Sequence, residues 1–376
     1  MTETSTSPTD LVNSPLHDRH VALGAKFAPF GGWTMPLEYA DGGVISEHTA
    51  VRERVGLFDV SHLGKVMVSG SGTIDFLNRC LTRNLERAGD GDALYTLCCD
   101  DNGGVVDDLI VYRFSADKVL LVPNAANNAG VASRLIQVQP EGIEIDNQHH
   151  DWAILAVQGP ASQGLLERLG LPTPEKFMSF TEAKFGGTTV LVCRSGYTGE
   201  HGYELVVPSE GAGEVWDALV SEGSSDGIVP CGLAARDTLR LEMGYPLHGN
   251  ELSAEISPVQ ARAGWAVGWK KDEFWGKDAL VAEKEAGPEW KLWGLEATGR
   301  GVPRADMTVF VGDKPVGVTT SGSFSPTKKV GIALALLDTD EELGLEPGSE
   351  VEIEVRNRRL AAKVVKPPFV EAKTKS

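Results

Sequence analysis

Asp101-Asn102-Gly103-Gly104-Val105-Val106-Asp107-Asp108-Leu109-Ile110-Val111-Tyr112 is a turn that runs into a strand, and two adjacent acids interrupt the strand. Alternation puts residues 106, 108, 110 and 112 on one face and 105, 107, 109 and 111 on the other. Both faces are otherwise mostly apolar, so whichever face packs inward carries one carboxylate with it. An ionised carboxylate moved out of water is costly unless it is paired or hydrogen-bonded. Acids placed this way either satisfy turn amides or do chemistry. One acid capping the turn and one solvated is the structural alternative, and this segment alone does not choose.

Working outward, Leu94 to Cys99 and Lys118 to Val122 are strand candidates on either side of the Val105 to Phe114 run. The Asp100-Asp-Asn-Gly-Gly104 turn joins Leu94 to Cys99 with Val105 to Phe114 as a hairpin. Upstream, Phe58 to Val68 alternates like one strand, and Ser71 to Arg83 places Ile74, Leu77 and Leu81 on a helical stripe. Ala125 to Ile136, Pro160 to Leu169 and Gly211 to Ser221 are further helices; Ile143 to Asp146, Trp152 to Val157 and Thr188 to Arg194 are further strands. The expected class is α+β, with an antiparallel sheet carrying helices on one face. After Gly287 the pattern changes to short strands between Gly and Pro, the signature of a separate all-β domain.

A chain of 376 residues exceeds a single hydrophobic core, so two or three domains are expected. Met1 to Pro15 is rich in Ser, Thr and Pro and lacks the basic start and apolar core of a signal peptide, which predicts a short tail on a cytoplasmic protein. No apolar run approaches membrane length. The cysteines, at 80, 98, 99, 193 and 231, are odd in number and form no Cys-x-x-Cys, which fits buried free thiols. The histidines show no ligand spacing, so no metal is expected. A net charge of −18 argues against nucleic acid and anionic membranes as partners.

Gly70-Ser71-Gly72 is half of a dinucleotide fingerprint, but Asp75 stands where the third Gly belongs, so no nucleotide is expected. No phosphate loop and no Gly-x-Ser-x-Gly elbow occur. Ser195-Gly-Tyr-Thr-Gly-Glu-His-Gly-Tyr-Glu-Leu205 is more specific. Its three glycines permit conformations closed to other residues and would let a flat ligand approach the chain. Tyr197 offers a stacking face, and Glu204 an acceptor for two parallel N–H groups of an amino-pyrimidine ring. The alternative is a Gly-rich surface hairpin. From Gly232 to Met243 the chain reads as a helix ended by Gly244, with Arg236 and Arg240 on one face. Two guanidiniums held together point to an acidic ligand or, equally, to an internal salt-bridge network. Trp265 and Trp269 are either a ligand wall or core.

These segments together resemble the glycine cleavage T-protein family of tetrahydrofolate-dependent aminomethyltransferases. The resemblance runs from about Ser14 to Val370. It rests on Phe30-Gly-Gly-Trp33 with Met35-Pro-Leu37, Val51-Arg52, Phe58-Asp-Val-Ser-His62, Gly103-Gly-Val-Val-Asp-Asp-Leu109, Val157-Gln-Gly-Pro160, Gly196-Tyr-Thr-Gly-Glu200, Gly232-Leu-Ala-Ala-Arg-Asp237 and Thr320-Ser-Gly322. No single motif is decisive; their order is.

The resemblance implies three domains around a funnel that holds folate, pterin ring buried and glutamate tail toward solvent. The implied division is a tail over 1–14, a folate-binding α+β domain over 15–57 and 148–286, a ferredoxin-like domain over 58–147 carrying Asp108, a β-barrel or jelly-roll-like domain over 287–370, and a tail over 371–376. It implies Asp108 as the catalytic acid and Asp107 as its turn- or surface-facing neighbour. Glu204 and Arg236 would contact folate, with Tyr95, Asn124, Tyr197 and Trp265 in the pocket wall. The implied reaction takes a one-carbon unit from the aminomethylated lipoyl arm of H protein to tetrahydrofolate, through iminium-like species that a fixed carboxylate would stabilise. H protein is the implied partner, with functional coupling to the P and L proteins; tetrahydrofolate is the co-substrate, with no metal and no nucleotide.

Two departures accompany the resemblance. Leu63 follows His62 where many relatives carry Met, and the end of the chain lacks an aromatic residue found in some relatives, which removes the basis for a pocket contact from that tail. The related folate domains of sarcosine and dimethylglycine oxidising enzymes are normally fused to a flavin domain whose fingerprint is missing here. The folate-binding iron–sulfur assembly factors carry a Cys where this chain has Ser195-Gly-Tyr.

Overall fold

The computed structural model describes residues 11–40 and 42–374. Two sheets pack back to back, with helices on their outer faces. The first has five strands in the spatial order Ala93–Cys99, Val105–Ser115, Lys118–Val122, Val66–Ser69 and Glu144–Asn147, all antiparallel. Its outer face, with Val66, Leu109, Val111 and Leu121, is covered by Ile74 and Leu77 of the helix Thr73–Cys80 and by Val131 and Leu135 of the helix Asn128–Gln137.

The second sheet has six strands in the order Phe180–Phe185, Thr188–Cys193, Gly202–Pro208, Trp152–Gln158, Gly56–Asp59 and Val229–Cys231. All its pairs are antiparallel except the last, which is parallel. Leu57, Leu155, Val157, Leu205 and Val207 pack outward onto the helices Ser162–Arg168 and Ala212–Glu222. The inner faces meet: Ile110, Tyr112, Leu120 and Val122 of the first sheet pack against Phe58, Ile154, Ala156 and Val206 of the second. The face that carries Asp108, Ile110 and Tyr112 therefore looks into the space between the sheets, while Val106, beside the register shift at Cys98 and Cys99, packs outward.

Six strands from Trp290–Ala297 to Arg358–Val365 close into a barrel around Leu295, Val309, Ala335, Ile353 and Val364. The helix Leu233–Met243 ties this barrel to the sheets. Its Arg240 is buried and bonds Asp237 Oδ1 (2.8 Å), Glu251 Oε2 (3.1 Å), the Tyr245 carbonyl (3.2 Å) and Ser321 Oγ of the barrel (2.8 Å). A register shift between Thr319 and Ser321 brings Thr320 Oγ1 to 2.6 Å from Glu251 Oε1. Gly244 ends the helix at φ +66°, where a Cβ would lie 2.3 Å from Pro367.

Several expectations are corrected. Residues 58–68 form two strands in different sheets, because Asp59 Oδ1 accepts the Ser61 amide at 2.9 Å and turns the chain. Alternation persists across the break because both halves are buried. The Ser71–Arg83 helix shortens to Thr73–Cys80: Gly72 is left-handed and Leu81 is already extended, bridging Cys98. Residues 1–10 of the expected tail lie outside the described residues, but Val12–Asn13 pair with Trp33–Thr34 and the buried Ser14 hydroxyl bonds Asp59. All five cysteines are buried and free. Among the described residues no helix is long and apolar enough to cross a membrane.

Candidate functional site

The strand Val105–Ser115 pairs Asp108 with Leu97 and Ile110 with Tyr95, which brings the Tyr95 side chain beside Asp108. The Tyr95 hydroxyl donates to Asp108 Oδ2 at 3.0 Å, and Asn124 Nδ2 donates to Asp108 Oδ1 at 2.8 Å. Burial raises the Asp108 pKa above the ordinary aspartate range, and these two hydrogen bonds oppose the rise by favouring the ionised form.

Asp107 is not surface-facing: it is fully buried on the outer face of the sheet, the face of Leu109 and Val111. Three N–H groups satisfy it, the Asn124 amide (3.0 Å), Asn124 Nδ2 (2.9 Å) and Asn127 Nδ2 (2.7 Å). Burial and the neighbouring Asp108 push its pKa up, and these donors pull it back. Asn124 Nδ2 thus touches both carboxylates. Asn127 Nδ2 also meets His248 Nδ1 (3.1 Å), while His248 Nε2 lies 2.9 Å from the Val105 carbonyl. The carbonyl only accepts, so Nε2 carries the proton and Nδ1 accepts from Asn127.

Across the cavity, Glu204 stands on the strand Gly202–Pro208 and accepts from Ser195 Oγ at 2.5 Å; Ser195 Oγ also lies 3.2 Å from the Tyr112 hydroxyl. Burial raises the Glu204 pKa. Its Oε1 makes no hydrogen bond among the described residues, so an acceptor stays available. Arg236 projects from the helix Leu233–Met243, 4.4 Å over the Tyr197 ring, and makes no ion pair among the described residues. Burial lowers its pKa, with Tyr197 and Glu204 acting in the opposite direction. The two arginines that share a helical face are thereby separated in use: Arg240 is consumed by its internal network and Arg236 faces the cavity.

The glycines of the 195–205 stretch serve packing more than ligand approach. A Cβ on Gly196 would lie 2.1 Å from Gln158 Oε1, and one on Gly199 (φ +80°) 2.2 Å from Met243 Sδ. Gln158 Nε2 holds the Ser195 and Tyr203 carbonyls, each at 3.1 Å. The loop is folded down on Gln158 and Met243, and Tyr197 is presented outward with its ring 5.6 Å from that of Tyr245.

Tyr95, Asp108, Asn124, Tyr197, Glu204 and Arg236 line one chamber between the sheets. Trp265 lines an adjoining chamber of about 340 Å³ that shares Tyr95, Asp108 and Tyr197 with the first. It is 64% exposed and stacks on Tyr95 at 5.2 Å. Trp269 bonds the Gly264 carbonyl and packs as core instead. His248, Asn127, Ser195 and Tyr112 are members of the site that motif reasoning missed. Ser195 and Tyr112 lie within stretches quoted above, but only the fold gives their partners. His62 lies behind Phe30 with both ring nitrogens unbonded, and burial, then Arg236, pushes its pKa down to about 3. Among the described residues no group of three His, Cys, Asp or Glu comes together as a metal ion would need.

Paired aromatics, one carboxylate per wall and an unpaired guanidinium between two sheets define a site for a flat, polar ring, in an α+β protein with an appended barrel. Residues 16–271 match the family model described as the GCVT N-terminal domain, and residues 291–371 match the glycine cleavage T-protein C-terminal barrel domain. The aminomethyltransferases of Mycobacterium avium and Frankia alni are each 57% identical, over 97% and 96% of this chain and 99% and 98% of their own. The crystal structure of glycine cleavage system aminomethyltransferase T from Bartonella henselae superposes with a TM-score of 0.90 at 33% identity, covering 96% of this chain and 99% of that one. The chain belongs to the glycine cleavage T-protein family.

Proposed function

We propose that this chain is the aminomethyltransferase of a glycine cleavage system, with Asp108 as its catalytic acid. It passes the one-carbon unit from the S-aminomethyl-dihydrolipoyl arm of H protein to tetrahydrofolate, giving 5,10-methylenetetrahydrofolate, ammonia and the dihydrolipoyl arm. H protein is the direct partner, and the P and L proteins are coupled through it. The observation that carries this reading is the ionisable Asp108 held by Tyr95 and Asn124, in a chamber whose opposite wall is Glu204 and Arg236.

The residues fit a folate ring. The free Glu204 Oε1, the unpaired Arg236 donors and the Tyr95 and Tyr197 faces meet the amino-pyrimidine edge, a ring carbonyl and the ring planes respectively. Tetrahydrofolate supplies the two nitrogens that take the carbon. Two C–N bonds form while the C–S and original C–N bonds break, and the two folate N–H protons leave with sulfur and ammonia. Asp108, anchored through both oxygens, is pre-oriented where positive charge develops, so it needs little reorganisation during the reaction. Its raised pKa also suits it to hold a proton in passing. The inter-sheet apolar lining excludes water that would otherwise hydrolyse the aminomethyl group.

The division proposed for the chain gives 15–57 with 148–286 to a folate-binding unit, 58–147 to the unit that carries Asp108, and 287–370 to the barrel. The deciding experiment mixes purified protein with aminomethylated H protein and tetrahydrofolate. Formation of methylenetetrahydrofolate and ammonia is expected. No product under conditions where a reference T protein turns over sinks the proposal.

A further inference from the structure

Asp108 is held by a donor that has more acceptors than protons. Asn124 Nδ2 carries two N–H groups and lies within hydrogen-bond reach of three oxygens: Asp107 Oδ1 (2.9 Å), the Asp108 carbonyl (3.0 Å) and Asp108 Oδ1 (2.8 Å). The two carboxylates therefore compete for one amide. Any other donor that satisfies Asp107 leaves more of Asn124 for Asp108. Asn127 Nδ2 is that donor, 2.7 Å from the same Asp107 oxygen.

Asn127 in turn needs its amide held the right way round. Its second N–H meets His248 Nδ1 at 3.1 Å, so both protons of Nδ2 are committed. His248 Nδ1 can accept because the Nε2–H is given to the Val105 carbonyl at 2.9 Å. With a proton on Nδ1 instead, two donors would face each other. The amide would then turn its oxygen to the imidazole and withdraw its N–H groups from Asp107.

The imidazole is fixed from outside the sheet. It stands on the loop that follows the helix Leu233–Met243, 121 residues after Asn127. Glu251 pins that loop, accepting the Leu247 amide at 2.9 Å while it bonds the buried Arg240 and Thr320 of the barrel. His248 also lines the chamber with Asp108. The other ionisable groups around that chamber are Tyr95 and Tyr112 of the first sheet, Glu204 of the second, Tyr197 of its loop and Arg236 of the helix. Burial raises the Asp108 pKa; the Tyr95 hydrogen bond opposes the rise, and after it the field of His248.

We propose that His248 is a positioning residue for Asp108, acting through Asn127 and Asp107 to keep Asn124 directed at the catalytic carboxylate. The assignment rests on the reading of Asp108 as the catalytic acid. The contacts run outward from the Asp108 carboxylate through both asparagines to a loop that the barrel anchors. His248 need not touch folate or the aminomethyl carbon for its loss to be felt there.

The test uses two substitutions that divide the imidazole. In His248→Asn the side-chain oxygen reaches the place of Nδ1, so the acceptor for Asn127 stays and the donor to Val105 goes. In His248→Gln the amide reaches the place of Nε2, so the donor stays and the acceptor goes. Carboxyl NMR of the full chain, labelled at aspartate, follows the Asp108 titration, its resonance assigned by its absence from D108N. The pH dependence of kcat/KM for tetrahydrofolate is measured in the same proteins. Asp108 in H248Q should titrate about half a pH unit higher than in H248N, about threefold in ionisation, since the Asn124 bond is loosened and not lost. The acid limb of kcat/KM should move with it. N127A should reproduce the H248Q shift, and H248Q added to N127A should shift it no further. Equal titrations in H248N and H248Q would report only the imidazole charge and overturn the proposal. Additive shifts in the double variant overturn it too, as does an N127A titration that matches the unsubstituted chain. N127A carries the test alone if a His248 variant does not fold. The expected NMR shifts with an unmoved acid limb keep the positioning role and sink Asp108 as the catalytic acid.

Discussion

Replacing Tyr95 by Phe isolates one hydrogen bond at the Asp108 end of the site, where the chemistry is proposed to occur. The ring and its stacking on Trp265 stay; only the hydroxyl that donates to Asp108 Oδ2 at 3.0 Å is lost. That bond favours ionised Asp108, whose pKa is already raised by burial, so its removal must raise the pKa further. A hydrogen bond to a charged group contributes roughly 1.5–3 kcal/mol, and a pKa unit corresponds to about 1.4 kcal/mol. The full bond would thus move the pKa by about one to two units. Asn124 Nδ2 still holds the other oxygen at 2.8 Å, which argues for the lower end, about one unit. As pH falls, the variant should lose activity at higher pH than the parent. The assay is kcat/KM for tetrahydrofolate as a function of pH in both proteins, which reports the free enzyme; the ionisations of the shared substrate cancel in the comparison. An acid limb that stays in place, or moves to lower pH, would refute the role assigned to this hydrogen bond.

Three further substitutions separate the other parts of the site. Asp108→Asn should lower kcat by at least ~10²-fold with folate affinity changed much less, measured by turnover and equilibrium binding; full activity would remove Asp108 from the chemistry. Asp107→Ala leaves buried N–H groups of Asn124 and Asn127 without an acceptor, at about 1–3 kcal/mol each, so a stability loss of about 2–5 kcal/mol is expected by chemical denaturation. An unchanged midpoint would show that these donors find other partners. Glu204→Gln should weaken folate binding, and an unaltered dissociation constant would take Glu204 out of the ring site.

Strand alternation correctly placed Asp107 and Asp108 on opposite faces, because that depends only on backbone period. It gave no means of seeing that both faces are covered, one by helices and the other by a second sheet. Asp107 was accordingly expected at a turn or surface and is in fact buried against Asn124 and Asn127. The shared helical face of Arg236 and Arg240 was legible for the same local reason. Their different fates were not, since Arg240 meets Ser321 from 81 residues away. Residues 58–68 show the complementary failure: two strands buried in different sheets keep one unbroken alternation, so the pattern hides the turn. The barrel is legible in the short strands between Gly and Pro after Gly287, because that punctuation is local. The glycines after Ser195 were seen, but the side chains that require them, Gln158 and Met243, are distant in sequence.

Beyond the barrel the chain returns to the sheets: the Phe369 amide bonds the Glu242 carbonyl at 2.7 Å, and the Lys373 amide bonds the Gly199 carbonyl at 2.7 Å. Arg194 Nη2 reaches the Thr374 carbonyl, 180 residues further along the chain. The loop that presents Tyr197 is thus braced by a segment that leaves the ribosome long after the loop itself. Closing so long a loop carries an entropic cost before its contacts reward it. During synthesis the two sheets can pack while this brace is still missing. The wall that presents Tyr197 therefore gains this brace only when the segment over 369–374 has docked, so the early sheets alone would hold that loop less firmly.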